Sequence, residues 1–127
     1  MIQEFITRFD ANRESLRAKF AQKHPEEYRD IVVAVIETIA EDEYGLPDPT
    51  RITEINDGDY QGTMLFVIGA RGYQPRKYWA VYVDYGSCSG CDTLMSIQTD
   101  DDRKTMEKQV SEYMTLAIHI LQGLKEI

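Results

Sequence analysis

Two runs near the middle of the chain limit what it can fold into more than any other feature. Between Gly62 and Gly69 the sequence reads Thr63-Met-Leu-Phe-Val-Ile68, an unbroken apolar stretch of strand length, and a short connection later it reads Tyr78-Trp-Ala-Val-Tyr-Val-Asp-Tyr85. Aromatic and β-branched residues at this density, bounded by glycine, mark strands. The second run alternates, with Trp79, Val81 and Val83 on one face and Tyr78, Ala80 and Tyr82 on the other. The first is apolar at every position but one, which predicts a central strand buried on both faces. The short Gly69–Lys77 connection makes the pair an antiparallel hairpin. Arg51 to Ile55 is a third, shorter strand candidate.

Helical spacing surrounds these strands. Ile2, Phe5, Phe9, Leu16 and Phe20 fall within one arc and predict a helix from Ile2 to Gln22, although Asn12 and Arg13 interrupt the arc. His24-Pro-Glu-Glu27 reads as a second helix start, proline suiting the first helical position and the carboxylates the positive end of the dipole. Tyr28, Ile31, Val32, Val35, Ile36 and Ile39 then recur at i, i+3, i+4 spacing, with Val33 widening the arc. The prolines of Leu46-Pro-Asp-Pro49 end this pattern. Thr99 before Asp100-Asp-Asp102 is a capping signature, and Met106, Val110, Tyr113, Met114, Ala117, Ile120, Leu121 and Leu124 line one face of a helix running to the end of the chain. The order ααβββα predicts one α+β domain over residues 1–127, an antiparallel three-stranded sheet packed against helices.

A length of 127 residues allows one domain with a core, and 43% hydrophobic with 28% charged residues is ordinary globular composition. The longest apolar run, Ile31-Val-Val-Ala-Val-Ile36, is far short of a membrane span, and Glu4 and Asp10 stand where a signal segment would be basic and then apolar. The expectation is a cytoplasmic protein with no membrane contact. A net charge of −8 disfavours nucleic acid as a ligand and favours solubility or basic partners. The width of the Tyr28–Ile39 apolar face leaves a homodimer open.

Both cysteines lie in Tyr85-Gly-Ser-Cys-Ser-Gly-Cys-Asp92. Hairpin geometry puts this loop and the Gly69–Lys77 tip at opposite ends of a strand about 25 Å long. It also brings Asp59, Tyr60 and Gln61 to the same edge as Ser87, Cys88, Ser89, Cys91 and Asp92. Three chemistries fit that edge. The cysteines can be small buried hydrophobes in a glycine-hinged turn. They can be a thiol pair of lowered pKa, although Asp92 opposes this by raising a neighbouring thiol. Or Cys88 and Cys91 can be two of the four ligands of a zinc site, the remainder coming from Asp92, Asp84 or a second subunit. No motif calls for a cofactor, and zinc is the alternative.

At the other end Arg71, Tyr73, Arg76 and Lys77 gather basic and aromatic groups in an otherwise acidic protein, a composition suited to gripping an acidic protein surface. The acidic groups Glu41-Asp-Glu43 with Asp48, and Asp100–Asp102, read for the most part as helix caps and solvated faces, with imitation of DNA phosphate the alternative. No acid–base or nucleophile constellation stands out, so the reading is a non-catalytic binding protein.

YGSCSGCDTL, with GDYQGT at Gly58–Thr63 and YMTLAIH at Tyr113–His119, resembles a family of small bacteriophage and prophage proteins that carry a Y-G-S-C-S-G-C-D motif and have no assigned reaction. The resemblance covers about the C-terminal two thirds of the chain. It implies an accessory role in the host-cell cytoplasm and a host or phage protein as partner, and it supplies no catalytic residues.

Overall fold

A computed structural model describes residues 2–40, 44–56, 62–72, 76–85, 93–98 and 106–127. The apolar arc of the first segment forms α1, Ile2–Gln22, with Phe5, Phe9, Leu16 and Phe20 buried along it. The polar interruption in that arc serves the next helix, α2, Tyr28–Ile39. Asn12 Nδ2 donates to the Thr38 carbonyl (3.4 Å) and Arg8 Nη1 to that of Ile39 (3.4 Å), supplying donors to last-turn carbonyls that lack intrahelical partners. At its other end α2 starts later than the proline signal predicts. Pro25 stays outside, Glu27 is the cap residue, and the Asp30 carboxylate accepts the N–H groups of Glu26 (3.0 Å) and Glu27 (3.1 Å).

The sheet has four strands in the order β1-β2-β3-β4, all antiparallel. These are β1, Pro47–Asn56; β2, Gly62–Ala70; β3, Tyr78–Tyr85; and β4, Lys125–Glu126. The three-stranded expectation is therefore corrected by β4, and the reason lies at the end of the last helix. That helix, α4, spans Met106–Gly123 and follows the short α3, Thr93–Gln98. Glycine is a poor continuation for a helix, and the edge of β3 offers a ladder instead. Lys125 pairs with Ala80, Glu126 with Trp79, and the Ile127 N–H donates to the Tyr78 carbonyl (2.9 Å). Leu124 is buried and keeps the apolar stripe of α4 going, which is why spacing alone carries the helix too far. The full element order is ααβββααβ.

β1 is also longer than predicted, because an edge strand tolerates the missing N–H groups of Pro47 and Pro49 near its start. Its register with β2 breaks between Pro47 and Ile52. The described helices cover one face of the sheet. Ile52, Phe66, Ile68, Trp79 and Val81 are buried against α1, α2 and α4, with the Phe5 and Trp79 rings edge to face at 6.0 Å. The wide face of α2 is satisfied within the chain: Tyr28, Ile31, Val32, Val35, Ile36 and Ile39 are all buried, and α2 touches α1, α4 and β1. β2, by contrast, is not buried on both faces. Phe66 and Ile68 are enclosed, but Thr63, Leu65 and Val67 are only half-buried.

One buried tie fixes α3. The Leu94 N–H donates to the Tyr28 hydroxyl at 3.1 Å, giving a first-turn amide of α3 a partner on α2. Tyr28→Phe is expected to cost about 1 to 2 kcal/mol by leaving that amide buried and unsatisfied. Hydrogen exchange at Leu94 should accelerate while exchange in β2 follows only the global loss.

Candidate functional site

The pairing of β2 with β3 fixes the two ends of the hairpin. Gly62 lies opposite Tyr85 at one end, Gly69 opposite Tyr78 at the other. Of the residues singled out in the sequence, Asp59, Tyr60, Gln61, Tyr73, Ser87, Cys88, Ser89, Cys91 and Asp92 lie outside the described residues, and Arg71, Arg76 and Lys77 lie within them.

At the Gly69–Tyr78 end the basic residues divide. Arg76 and Lys77 are exposed, whereas Arg71 is half-buried and engaged. Its N–H donates to the Leu46 carbonyl (2.8 Å), its carbonyl accepts the Gly45 N–H (2.9 Å), and its guanidinium stands 4.0 Å from the Asp48 carboxylate. Asp48 is the centre of this knot. It is 5% exposed, and its carboxylate accepts from the Thr50 N–H (2.9 Å) and hydroxyl (2.7 Å) and pairs with Arg51 Nε at 3.5 Å. Arg51 in turn donates to the Ala70 carbonyl (2.9 Å) and to that of Gly72. Burial pushes the Asp48 carboxyl up, but the Thr50 hydrogen bonds and the charges of Arg71 and Arg51 outweigh it and leave the pKa below the ordinary value. Gly72 is required here. Its φ is +148°, and a Cβ would lie 2.7 Å from Tyr44 Cε2. These contacts bind the edge strand to the hairpin end, so Arg71 has a structural task and Arg76 and Lys77 remain as the exposed cations.

At the Gly62–Tyr85 end a cleft of about 360 Å³ opens between the sheet, the start of α2 and α3, with Met64, Leu94 and Met95 on its apolar side. Its polar groups are tied to one another. The Tyr85 hydroxyl donates to Asn56 Oδ1 (2.6 Å), and Arg29 donates to the Ile52 carbonyl (2.9 Å) while pairing with Glu54 (3.8 Å). Among the described residues no group of three His, Cys, Asp or Glu side chains is placed to hold a metal ion. His119 is exposed on α4, and His24 stands edge to face with Tyr113 at 5.3 Å. No helix of the described residues is long and apolar enough to cross a membrane.

The most unusual surface is one that sequence reasoning missed. The sheet face turned away from the helices carries Ile55, Leu65 and Tyr82 in one cross-strand row and Thr53, Val67 and Ala80 in the next. Tyr82 is 71% exposed, Ile55 51% and Tyr78 42%, and no described element lies over them. A sheet face meant for water alternates polar residues into these positions. Here all but Thr53 are aliphatic or aromatic, which is the mark of a contact surface. The signal was present in the sequence. Leu65 and Val67 are apolar at outward positions of an otherwise alternating pattern, but an unbroken apolar run reads equally as a strand covered on both sides by its own chain. No family model, curated protein or solved structure matches this chain, so the assignment of a role rests on its own surface.

Proposed function

We propose that this chain is a small acidic accessory protein that acts by binding another protein and catalyses no reaction, with the open sheet face as its contact surface. The observation that carries this reading is the exposed row Ile55, Leu65 and Tyr82, which offers aromatic and aliphatic anchors of the kind that dominate protein interfaces. Arg76 and Lys77 flank the face with positive charge on an otherwise acidic molecule and would orient an acidic partner. The phage-type resemblance supports a host or phage protein as its target, in the cytoplasm of a host cell.

A thiol or zinc site at Cys88 and Cys91 is the second reading. It is supported by the pairing of Gly62 with Tyr85, the two described residues from which the Asp59–Gln61 and Cys88–Cys91 segments depart, at the end of the sheet where the 360 Å³ cleft opens. Elemental analysis and thiol titration of natively purified protein separate the two. The binding reading expects no stoichiometric metal and two thiols that do not cycle with a dithiol. One zinc per chain or per pair of chains, or a reversibly cycling pair, would replace it with the second reading.

A further inference from the structure

The open face is graded in size along the strands. Its row of large residues, Ile55–Leu65–Tyr82, is followed toward the Gly69–Tyr78 end by a row of small ones, Thr53–Val67–Ala80, which Lys125 extends through its pairing with Ala80. Outside these lie Thr63–Asp84 on one side and Gly69–Tyr78 on the other. A twofold axis in the plane of contact, crossing the strands at the Phe66–Val81 pair, reverses the order of the rows. Large residues of one copy then stand over small residues of the other, and the reverse holds at the symmetric position.

The charges follow the same symmetry. Among the described residues Asp84 is the one carboxylate at an outward strand position of this face, and it sits at the end remote from Tyr78 and Lys125. The twofold operation sets each Asp84 beside Tyr78 of the other copy, whose hydroxyl can donate to it, and each Lys125 beside the ring of Tyr82. A chain of net charge −8 repels its own copies almost everywhere. On this face Asp84 already accepts the Thr63 hydroxyl (2.9 Å) in the single chain, and the operation sets it against one further donor.

We infer that the open sheet face pairs with a second copy of this chain in an isologous, face-to-face dimer. This rests on the binding role proposed above and names the partner of that surface. Three strands about 4.8 Å apart, over some seven residues at about 3.4 Å each, together with the two residues of β4, present on the order of 400 Å² with their side chains. That is below what a standard interface buries per partner and belongs with weak, transient contacts, so the dissociation constant is on the order of tens of micromolar.

Sedimentation equilibrium under reducing conditions, over about 1 to 100 µM to bracket that constant, tests the inference. The mass should rise with concentration from 14.7 kDa toward that of two chains. Tyr82→Glu and, separately, Ile55→Glu should each weaken association by about 30-fold or more. Both side chains are more than half exposed in the single chain, so the thermal unfolding of dilute protein should hardly change. Glu14→Lys, on the exposed side of α1, should leave association intact. A dimer indifferent to Tyr82→Glu and Ile55→Glu overturns the proposed face. A strictly monomeric protein overturns self-pairing, and the binding reading survives only if Tyr82→Glu then abolishes capture of a host or phage protein. If the monomer and its Tyr82→Glu variant capture equally, both readings fall.

Discussion

Trp79→Ala is expected to destabilise the protein by about 3 to 5 kcal/mol, the range for deleting a fully enclosed large aromatic. Trp79 is 1% exposed, faces Ile68 across the ladder on one side and Glu126 on the other, and meets Phe5 edge to face. One side chain therefore joins α1, the sheet centre and the C-terminal strand, and its loss leaves a cavity that none of these elements can fill by local collapse. Against a typical total of about 5 to 15 kcal/mol, the loss is a large part of the whole. The melting temperature should fall by roughly 10 to 20 °C. Far-UV circular dichroism against urea is the measurement, since Trp79 is the sole tryptophan and its fluorescence goes with it. A loss under about 1 kcal/mol would mean that the helices do not seat on this strand as described.

Asp48→Asn is expected to cost about 2 kcal/mol at neutral pH, with the cost fading in acid. The substitution weakens the acceptance of the Thr50 N–H and hydroxyl and removes the charge opposite Arg51 and Arg71. Both guanidinium groups are about a third exposed, so solvent screens their share and the Thr50 hydrogen bonds carry most of the effect. The folded-state pKa lies below the ordinary aspartate value. The stabilisation is therefore fully present above about pH 4 and is lost as pH falls through the lower, folded value. Urea midpoints of the two proteins should converge as the pH falls below about 4. A gap that stays constant through that window would show that the carboxylate is not held in its charged form.

The elements that spacing made legible were those in which pattern and packing agree. α1 runs from Ile2 to Gln22 with Phe5, Phe9, Leu16 and Phe20 of its apolar arc buried, and the alternation of Trp79, Val81 and Val83 survives as the buried face of β3. Spacing misled where two outcomes share a pattern. Leu124 continues the stripe of α4 whether it ends a helix or precedes a strand, so the fourth strand was invisible. The Thr63–Ile68 run looks the same for a strand buried by its own chain and for one awaiting a partner, so the open face was read as interior. Arg71, counted with the exposed tip, proved to be held by Asp48, a long-range contact that no local signal encodes. Arg76 and Lys77 are exposed as expected, and the cysteine loop with its Asp59–Gln61 neighbours falls outside the described residues.

The two prolines at the start of β1 bear on how copies of this protein can meet. β1 is a margin of the sheet, and Pro47 and Pro49 present ring carbons where a joining ribbon would need amide hydrogens. End-to-end growth of sheets into fibres requires an uninterrupted row of such donors on each successive molecule. Association at this margin is thus frustrated over its first residues.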